Sequence, residues 1–373
     1  MVGKSSLFAA VAVMIGAMIG AGFLGIPHVA SKSGFLIAAF HLVLLGIVII
    51  CVNLWMGEVV LRTKGDHQLT GYAEKYLGEK GKSIIFFMLV FGILSALVAY
   101  LIGISQSVSH LIIQNSSLSF VIAIITWAIL TFLTFFGLQT FKLGEVIGLI
   151  LMGIFFIGIF IYFFPNVSVE NLSTYDLSNF FYPFGTILFA LLSFSAIPEL
   201  NRILSKEKKS MKRAIFLGSF IPIIVYLLFT LVLVGVKGAS VPEVSTIGLG
   251  AIFIFLGIIT MSTSYFVLAT VLKSMLHFDY GLTKKVSWAL ISLFAIILYV
   301  LTFKMNFTFT KILNASGIIS GSITGILIML MVLKAKRYGN RKSEYSLPIS
   351  IPLLILISVI FILGGVLGLL DLH

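Results

Sequence analysis

The stretch that decides the fold is Gly20-Ala21-Gly22-Phe23-Leu24-Gly25-Ile26-Pro27, inside an uncharged apolar run from Ser5 to Ala30. Three glycines and a proline oppose a continuous helix here, because glycine is a weak helix former and proline lacks an N–H donor. A second apolar run contains a similar stretch, Leu192-Ser193-Phe194-Ser195-Ala196-Ile197-Pro198. Both stretches end in Ile-Pro. We therefore predict two interrupted helices.

The composition places the chain in a membrane. Its 373 residues are 60% hydrophobic and 10% charged, and the mean hydropathy is +1.17. A water-soluble domain of this composition would expose large apolar patches and aggregate. The 34 glycines suit close packing of helices in lipid. Cys51 is the single cysteine, which excludes an intramolecular disulfide and a cysteine-based metal site.

Apolar runs long enough to cross the hydrocarbon core occur eleven times along the chain. They cover residues 5–30, 33–57, 83–113, 118–136, 146–164, 180–198, 214–236, 245–272, 286–303, 312–333 and 347–370. We predict an all-α integral membrane protein with eleven transmembrane helices. The first and the sixth of these helices are expected to be discontinuous.

The net charge of +12 carries topological information. If the N-terminus is cytoplasmic, 21 of the 25 Lys and Arg residues fall in cytoplasmic loops, and only four, Lys32, Lys237, Lys304 and Lys311, fall outside. The positive-inside rule then predicts a multi-pass protein of the cell membrane with its N-terminus in the cytoplasm and its C-terminus outside. We expect no nucleic-acid partner, because no nucleic-acid-binding motif accompanies the basic residues.

The two breaks lie one five-span unit apart. Because five is odd, the second unit enters the membrane from the opposite side, which makes an inverted repeat. We predict one repeat at residues 1–172, a second at 173–340 and an additional transmembrane helix within 341–373. Unwound backbone in a bilayer is tolerated only where protein or water receives its polar groups. The breaks therefore predict a binding site near the bilayer midplane, as in secondary transporters.

The sequence around both breaks resembles a known family. Residues 15–27, IGAMIGAGFLGIP, look like the first-span signature of amino acid permeases in the amino acid–polyamine–organocation superfamily, especially its amino acid/auxin permease branch. Residues 188–199, LFALLSFSAIPE, are similar to the sixth span of that branch, with Ser193 where relatives often have glycine. The span count extends the resemblance over nearly the whole chain. It implies a LeuT-type five-plus-five repeat in the lipid bilayer and a small-molecule amino acid as the partner.

The helix ends at the breaks suit a zwitterion. The last carbonyl groups of a half-helix attract a cation, and the free N–H groups that begin the next attract a carboxylate. The resemblance implies that Ala21 and Gly22 bind the carboxylate through their amides and that Phe189 is a gating aromatic. The expected substrate-binding residues are Met18, Gly20, Ala21, Gly22, Tyr100, Phe189, Ala190, Leu192, Ser193 and Ser195. Core packing is the alternative for Tyr100, and close helix packing is the alternative for Gly20.

The eighth span carries the hydroxyl-rich stretch Thr260-Met261-Ser262-Thr263-Ser264. The resemblance implies a sodium site here, since Na⁺ prefers hard oxygen ligands. The expected ligands are Gly16, Ile19, Thr260, Thr263 and Ser264. Hydroxyls in membrane helices also bond to their own backbone, which is the alternative. A lysine in the fifth span, the surrogate cation of some proton-coupled relatives, does not occur within 146–164.

Proton coupling stays open, because intramembrane ionisable groups are suspected of function. The candidates are His28, His41, Glu58 and Glu199. Glu58 also has a structural interpretation one helical turn before Arg62, and Glu199 has one in the first turn of a half-helix.

These features favour a secondary active symporter of amino acids, with Na⁺ coupling preferred over H⁺ and no cofactor. A neutral or aromatic substrate is preferred over a cationic one, because neither break carries a carboxylate. A channel is less favoured, since two inverted breaks fit alternating access. A sensor with the same fold is also less favoured, since we expect no long soluble extension. An enzyme is not expected, because no metal-ligand cluster, nucleophile–base pair or phosphate loop is visible.

Overall fold

A computed structural model of the chain describes residues 2–112, 118–136, 142–278 and 280–370, with side chains for 6–112, 118–136, 152–277 and 280–370. Within these ranges the chain is helical and contains no strand. The α-helices are α1 (Val2–Met18), α2 (Ile26–Ser33), α3 (Phe35–Leu61), α4 (Leu69–Ile112), α5 (Ser119–Phe136), α6 (Lys142–Phe163), α7 (Val169–Ser173), α8 (Phe184–Leu191), α9 (Ile197–Ile203), α10 (Met211–Lys237), α11 (Ala251–Phe278), α12 (Lys284–Lys304), α13 (Phe309–Ser316), α14 (Ser322–Tyr338) and α15 (Ile351–Leu370).

The described residues contain nine helical segments that are long and apolar enough to cross a membrane. A tenth is counted if the bent pair Ser6–Met18 and Ala21–Ser33 forms one span. A shorter apolar stretch, Met152–Asn166, includes the second half of α6. The prediction of an all-α, multi-pass membrane protein is therefore confirmed. The exact count of eleven spans, the inverted repeat and its domain boundaries stay predictions.

The two interrupted helices lie inside the bundle rather than at its edge. Helix α10 packs against α1, α2 and α3, while α8 packs against α3 and α13. Small residues permit these close approaches. A Cβ atom on Gly218 of α10 would overlap the side chain of Met14 in α1. The segment from Ala21 to Pro27 is consequently buried throughout.

Glu58 fixes the position of the last helix. Its carboxylate, which is fully buried, accepts a hydrogen bond from Arg62 Nε at 2.8 Å and lies 2.9 Å from Lys336 Nζ. The Ser346 hydroxyl and the Leu347 N–H, in the loop between α14 and α15, also donate to it. Buried carboxylates with several charge-assisted partners hold elements firmly. The predicted pairing of Glu58 with Arg62 is confirmed, and it forms part of a larger network.

A π-helical turn, Gly317–Gly321, joins α13 to α14 and contacts α8. The contact is backbone against backbone at Gly317, where a Cβ atom would overlap the Gly185 carbonyl oxygen and lie 2.7 Å from the Phe189 nitrogen. Neither atom can move without moving α8 itself. The turn thus sets the position of the half-helix that leads into the second break.

This contact predicts that Gly317→Ala lowers the melting temperature of the purified protein. Overpacking against a fixed backbone costs about 1–3 kcal/mol of unfolding free energy, whereas a Gly→Ala change without a clash stabilises a helix by roughly 0.5–1 kcal/mol. The matched control is Gly153→Ala in α6, where a new Cβ meets nothing within 4 Å. Thermal melting of both variants in detergent tests the contact. An unchanged or raised melting temperature for Gly317→Ala would show that the packing is wrong.

Candidate functional site

The first break separates α1 from α2. Helix α1 ends at Met18, and Gly20 is extended, with φ −82° and ψ −167°. A 3₁₀ turn covers Ala21–Gly25, and α2 then begins at Ile26 with a proline in its first turn. Proline is tolerated there because its missing N–H would have no partner within the helix. The two pieces are bent by 43°, so the predicted discontinuity is observed.

The second break separates α8 from α9. Helix α8 ends at Leu191, and Leu192 is extended, with φ −68° and ψ 123°. A 3₁₀ turn at Phe194–Ala196 leads into α9. Ser193 has a φ of −150° and a ψ of 12°, which lie outside the positive-φ region that favours glycine. The break therefore forms without the glycine that relatives often have at this position.

The two breaks touch each other at Gly22. A Cβ atom on Gly22 would lie 2.7 Å from Cδ1 of Phe189 and 3.4 Å from the Ala190 Cα. Only glycine leaves room for this approach without displacing the Phe189 ring. The unwound backbone of the first break therefore lies directly against the end of α8.

Tyr226 of α10 joins the two breaks. Its hydroxyl lies 2.6 Å from the Met18 carbonyl oxygen and 3.3 Å from the Ala190 carbonyl oxygen. The residue is fully buried, and its ring stacks on Phe23, with centroids 5.9 Å apart and planes at 14°. This residue could not be singled out from the sequence. The apolar run around Tyr226 carries no motif, and the contact spans 208 residues.

Asn53 of α3 supports the second break from another side. Its Nδ2 donates to the Ser193 hydroxyl at 3.0 Å and to the Ser219 hydroxyl of α10 at 3.1 Å. Asn53 is fully buried, and among the residues that the structure describes its Oδ1 has no hydrogen-bond partner. Asn53 was not among the predicted site residues either. A lone amide within an apolar span was the available signal, since such polar groups are costly in lipid.

Tyr100 and Ser264 line the first break. The Tyr100 hydroxyl forms a hydrogen bond with the Ala21 backbone and lies 3.6 Å from the position a Cβ would take on Gly20. The Ser264 hydroxyl lies 3.9 Å from that same position. The two residues come from α4 and α11. Together with α8 and α10, four helices therefore meet around this stretch of backbone.

Most of the predicted substrate residues are brought together. The buried ones are Met18, Ala21, Gly22, Tyr100, Ala190 and Ser193. The partly buried ones are Gly20, Phe189 and Leu192. Ser195 is exposed in the 3₁₀ turn that follows the break, so the two serines differ in surroundings. Only Ser193 shares the buried network at the second break.

The predicted sodium ligands are less closely grouped. Ile19 is buried, Thr260 and Ser264 are partly buried, and Gly16 and Thr263 are exposed. The Thr263 hydroxyl donates to the Thr260 carbonyl oxygen at 2.9 Å. This is the local bond that hydroxyls in membrane helices commonly make. Ser264 is the hydroxyl of this group that approaches the first break.

The ionisable candidates have structural partners. The Nδ1 atom of His28 lies 2.8 Å from the Val241 carbonyl oxygen, and that of His41 lies 2.9 Å from the Ile37 carbonyl oxygen. Glu199 pairs with Arg202 at 3.0 Å on the surface, where ion pairs contribute little to stability. None of these contacts joins either break.

Comparison with known proteins defines the family. The model of the tryptophan/tyrosine permease family matches residues 3–368. The chain belongs to the tryptophan/tyrosine permease family. It is 27% identical over 248 residues to glutamine transporter 2 of Aliivibrio fischeri, covering 61% of this chain and 61% of that protein. It is 23% identical over 227 residues to the tyrosine-specific transport system 1 of Haemophilus influenzae, covering 58% of this chain and 54% of that protein.

The match to this permease family bears on two predictions from the sequence, the family and the absence of enzyme activity. The prediction of an amino acid permease is confirmed as membership of this family, and the branch of the wider superfamily stays a prediction. Both relatives are named as transport proteins, which supports the prediction that the chain is not an enzyme. The aligned regions span about three fifths and about half of the relatives' lengths.

The Asn53 network yields a prediction about stability. Asn53→Ala leaves the Ser193 and Ser219 hydroxyls without their shared donor, and losing a buried partner costs about 1–3 kcal/mol. The melting temperature should fall clearly. Ser219→Ala is the matched control, because it removes one acceptor and leaves the bond between Asn53 and Ser193 in place. We expect a smaller loss for it. Equal melting temperatures for Asn53→Ala and the wild type would contradict the role of Asn53 at the second break.

Proposed function

We propose that this member of the tryptophan/tyrosine permease family is a secondary active transporter of amino acids that works by alternating access. The observation that carries the proposal is the contact of the unwound first break, at Gly22, with the last turn of α8, at Phe189 and Ala190, where the second break begins. Backbone outside the helical ladder is tolerated at membrane depth where it lines a cavity or is buried in protein. Discontinuous helices that meet in this way form the binding sites of secondary transporters.

The two breaks offer complementary groups to a zwitterion. The first N–H groups of the 3₁₀ turn Ala21–Gly25 have no partner within that turn, and Tyr100 bonds the Ala21 backbone from outside it. These groups present partial positive charge to a carboxylate, which takes the place of the Tyr100 hydroxyl. The carbonyl groups that end α1 and α8 present partial negative charge to an ammonium group. An amino acid carries its ammonium group and its carboxylate on the same carbon atom, so it can contact both breaks at once.

The residues around the breaks favour a neutral side chain on the substrate. Phe23, Phe189 and Leu192 are apolar, and Asn53 and Tyr100 are uncharged. A cationic side chain would need an uncommitted carboxylate, and the buried carboxylate of Glu58 is occupied by Arg62 and Lys336. One relative is named for glutamine and the other for tyrosine. We therefore propose a neutral amino acid, with aromatic side chains included.

Burial differs between the two sides of the breaks, and this difference supports alternating access. Residues 21–27 and 184–188 are all buried, on the side of α2 and α8. On the side of α1 and α9, which contact each other, Gly16, Ala17 and Ser195 are exposed, as is Thr263 of α11. Exposed residues of α1, of α11 and of the turn before α9 support an opening at this end. The topology prediction places that end in the cytoplasm, so we propose an inward-facing conformation.

Binding and transport can be tested together. Purified full-length protein is melted with L-tyrosine, L-tryptophan and L-glutamine, and with their N-acetyl and methyl ester derivatives. A ligand present at 100 times its dissociation constant stabilises a protein by about 2.7 kcal/mol. We expect at least one free amino acid to raise the melting temperature and its blocked derivatives to have no effect, because each derivative loses one of the two charges.

Counterflow of that radiolabelled amino acid in proteoliposomes then tests transport. We expect accumulation of label in loaded vesicles and none in protein-free vesicles. Binding without counterflow would favour a sensor on the same fold. Neither binding nor counterflow across the whole amino acid panel would contradict the proposal.

We propose sodium as the coupling ion, with Thr260, Thr263 and Ser264 of α11 facing Gly16 and Ile19 of α1. The support is the position of Ser264 beside Gly20 and the oxygen-rich stretch around it, which suits Na⁺. Proton coupling is the alternative. In this arrangement the Thr263 hydroxyl keeps its bond to Thr260 and offers its oxygen lone pairs to the ion.

Sodium coupling predicts that uptake depends on external Na⁺ at fixed pH. Replacing sodium by choline should reduce uptake, and Thr263→Ala should raise the Na⁺ concentration needed for half-maximal uptake about tenfold, equivalent to losing about 1.4 kcal/mol of ion binding. Ser262→Ala, a hydroxyl deletion next to it on α11, serves as the control and should leave that concentration unchanged. Uptake that is the same in choline, yet follows an imposed pH gradient, would establish proton coupling instead.

A further inference from the structure

The Tyr226 hydroxyl occupies the carbonyl oxygens that the proposed site offers to an amino group. We propose that Tyr226 is an internal substitute for the substrate ammonium group. Its hydroxyl competes with that group for the two carbonyl oxygens and returns to them when the substrate leaves. The inference rests on the proposed function, since it takes an amino acid as the ligand. In this role Tyr226 of α10 regulates how tightly the site holds the amino acid.

The geometry matches that of an ammonium group bridging the breaks. The hydroxyl lies 2.6 Å from the Met18 carbonyl oxygen in the first break and 3.3 Å from the Ala190 carbonyl oxygen in the second. Both oxygens belong to the carbonyl groups at the ends of α1 and α8 that the proposed site offers to an amine. A single buried hydroxyl therefore connects the two half-helix ends from inside the protein.

The hydrogen-bonding capacity of Met18 makes the competition necessary. A carbonyl oxygen has two lone pairs. One of those on Met18 accepts the Gly20 N–H at 2.9 Å, and the other accepts the Tyr226 hydroxyl. The Gly20 bond belongs to the backbone turn that forms the break, so it persists while the break exists. An arriving amine can bind Met18 only if the tyrosine hydroxyl leaves.

The exchange is favourable when a substrate is present and reversible when it departs. A tyrosine hydroxyl has one proton to share between two carbonyl groups, whereas an ammonium group has three N–H donors. Charge-assisted hydrogen bonds are also roughly twice as strong as neutral ones. Without a substrate, Tyr226 supplies the second hydrogen bond of the Met18 carbonyl group and a donor for the buried Ala190 carbonyl group, for which an unmade bond would be costly. It therefore weakens binding and assists release.

The ring surroundings keep the hydroxyl close to the site. Tyr226 stacks on Phe23, which contacts Phe229 edge-on at 5.2 Å between centroids. The residue is fully buried, so its hydroxyl moves between nearby partners instead of reaching solvent. Phenylalanine fits the same aromatic cluster, which makes Tyr226→Phe a specific deletion of the donor.

The test uses full-length Tyr226→Phe and whichever of L-tyrosine, L-tryptophan and L-glutamine stabilises the wild type, together with the analogue that lacks its amino group. We expect the variant to bind the amino acid roughly fivefold more tightly and to release it more slowly, because one competing neutral hydrogen bond is gone. Affinity for the amine-free analogue should be unchanged, since that ligand never competes with the hydroxyl. Isothermal titration gives the affinities, and dilution of radiolabelled complex gives the dissociation rate.

The control is Tyr299→Phe, another buried tyrosine, whose hydroxyl bonds to Ser105 instead of to a break. It should leave both affinities unchanged. Weaker or equal binding of the amino acid to Tyr226→Phe would overturn the substitute role, as would an equal gain for the amine-free analogue. A failure of the proposed function looks different, because the wild type would then bind no amino acid.

A second measurement covers the case in which Tyr226→Phe does not fold. With 3-fluorotyrosine at position 226 of the otherwise unchanged chain, the ¹⁹F resonance should shift when the amino acid binds and stay in place with the amine-free analogue. A resonance that responds equally to both ligands, or to neither, would overturn the inference.

Discussion

The structure depends on one constraint, which is that peptide groups leaving a helix inside the bilayer must find partners within the protein. Each such group costs several kcal/mol if it stays unpaired in hydrocarbon. The first break meets this requirement through Tyr100 at Ala21 and Tyr226 at Met18. The second meets it through Tyr226 at Ala190, and Asn53 holds Ser193 in place beside it. The same partners that make the breaks stable also bring them together, so stability and the candidate binding site have a common origin.

The location of both breaks could be predicted from sequence because the signal is local. Glycines weaken the helix at the first break, and at both breaks an Ile-Pro pair at the start of α2 and of α9 marks the restart. The pairing of Glu58 with Arg62 was also predictable, since residues four apart lie on the same helical face. The partners of the breaks were not predictable in this way. Tyr226 reaches Met18 across 208 residues, and Asn53 reaches Ser193 across 140.

The roles of Tyr100 and of the hydroxyls in the eighth span could not be determined from the sequence alone. A tyrosine in an apolar span is as consistent with core packing as with a site, and only the approach of α4 to the first break places Tyr100 beside Gly20. The run of hydroxyls in α11 predicted a sodium site next to the first span, and that site stays a prediction. Which hydroxyl approaches the break depends on the rotation of α11, and the structure places Ser264 there. The sequence alone could not determine that rotation, because several hydroxyls lie within one turn.

If the two breaks hold an amino acid by its two charged groups, a structure determined by electron cryo-microscopy with a bound amino acid will show both contacts. We expect density between residues 20–22 and 189–193, with the carboxylate at the amides of Ala21 and Gly22 and the amino group at the carbonyl oxygens of Met18 and Ala190. The Tyr226 hydroxyl should have moved away from Met18. Ligand density elsewhere in the bundle, with the bonds from Tyr226 to both breaks intact, would contradict it.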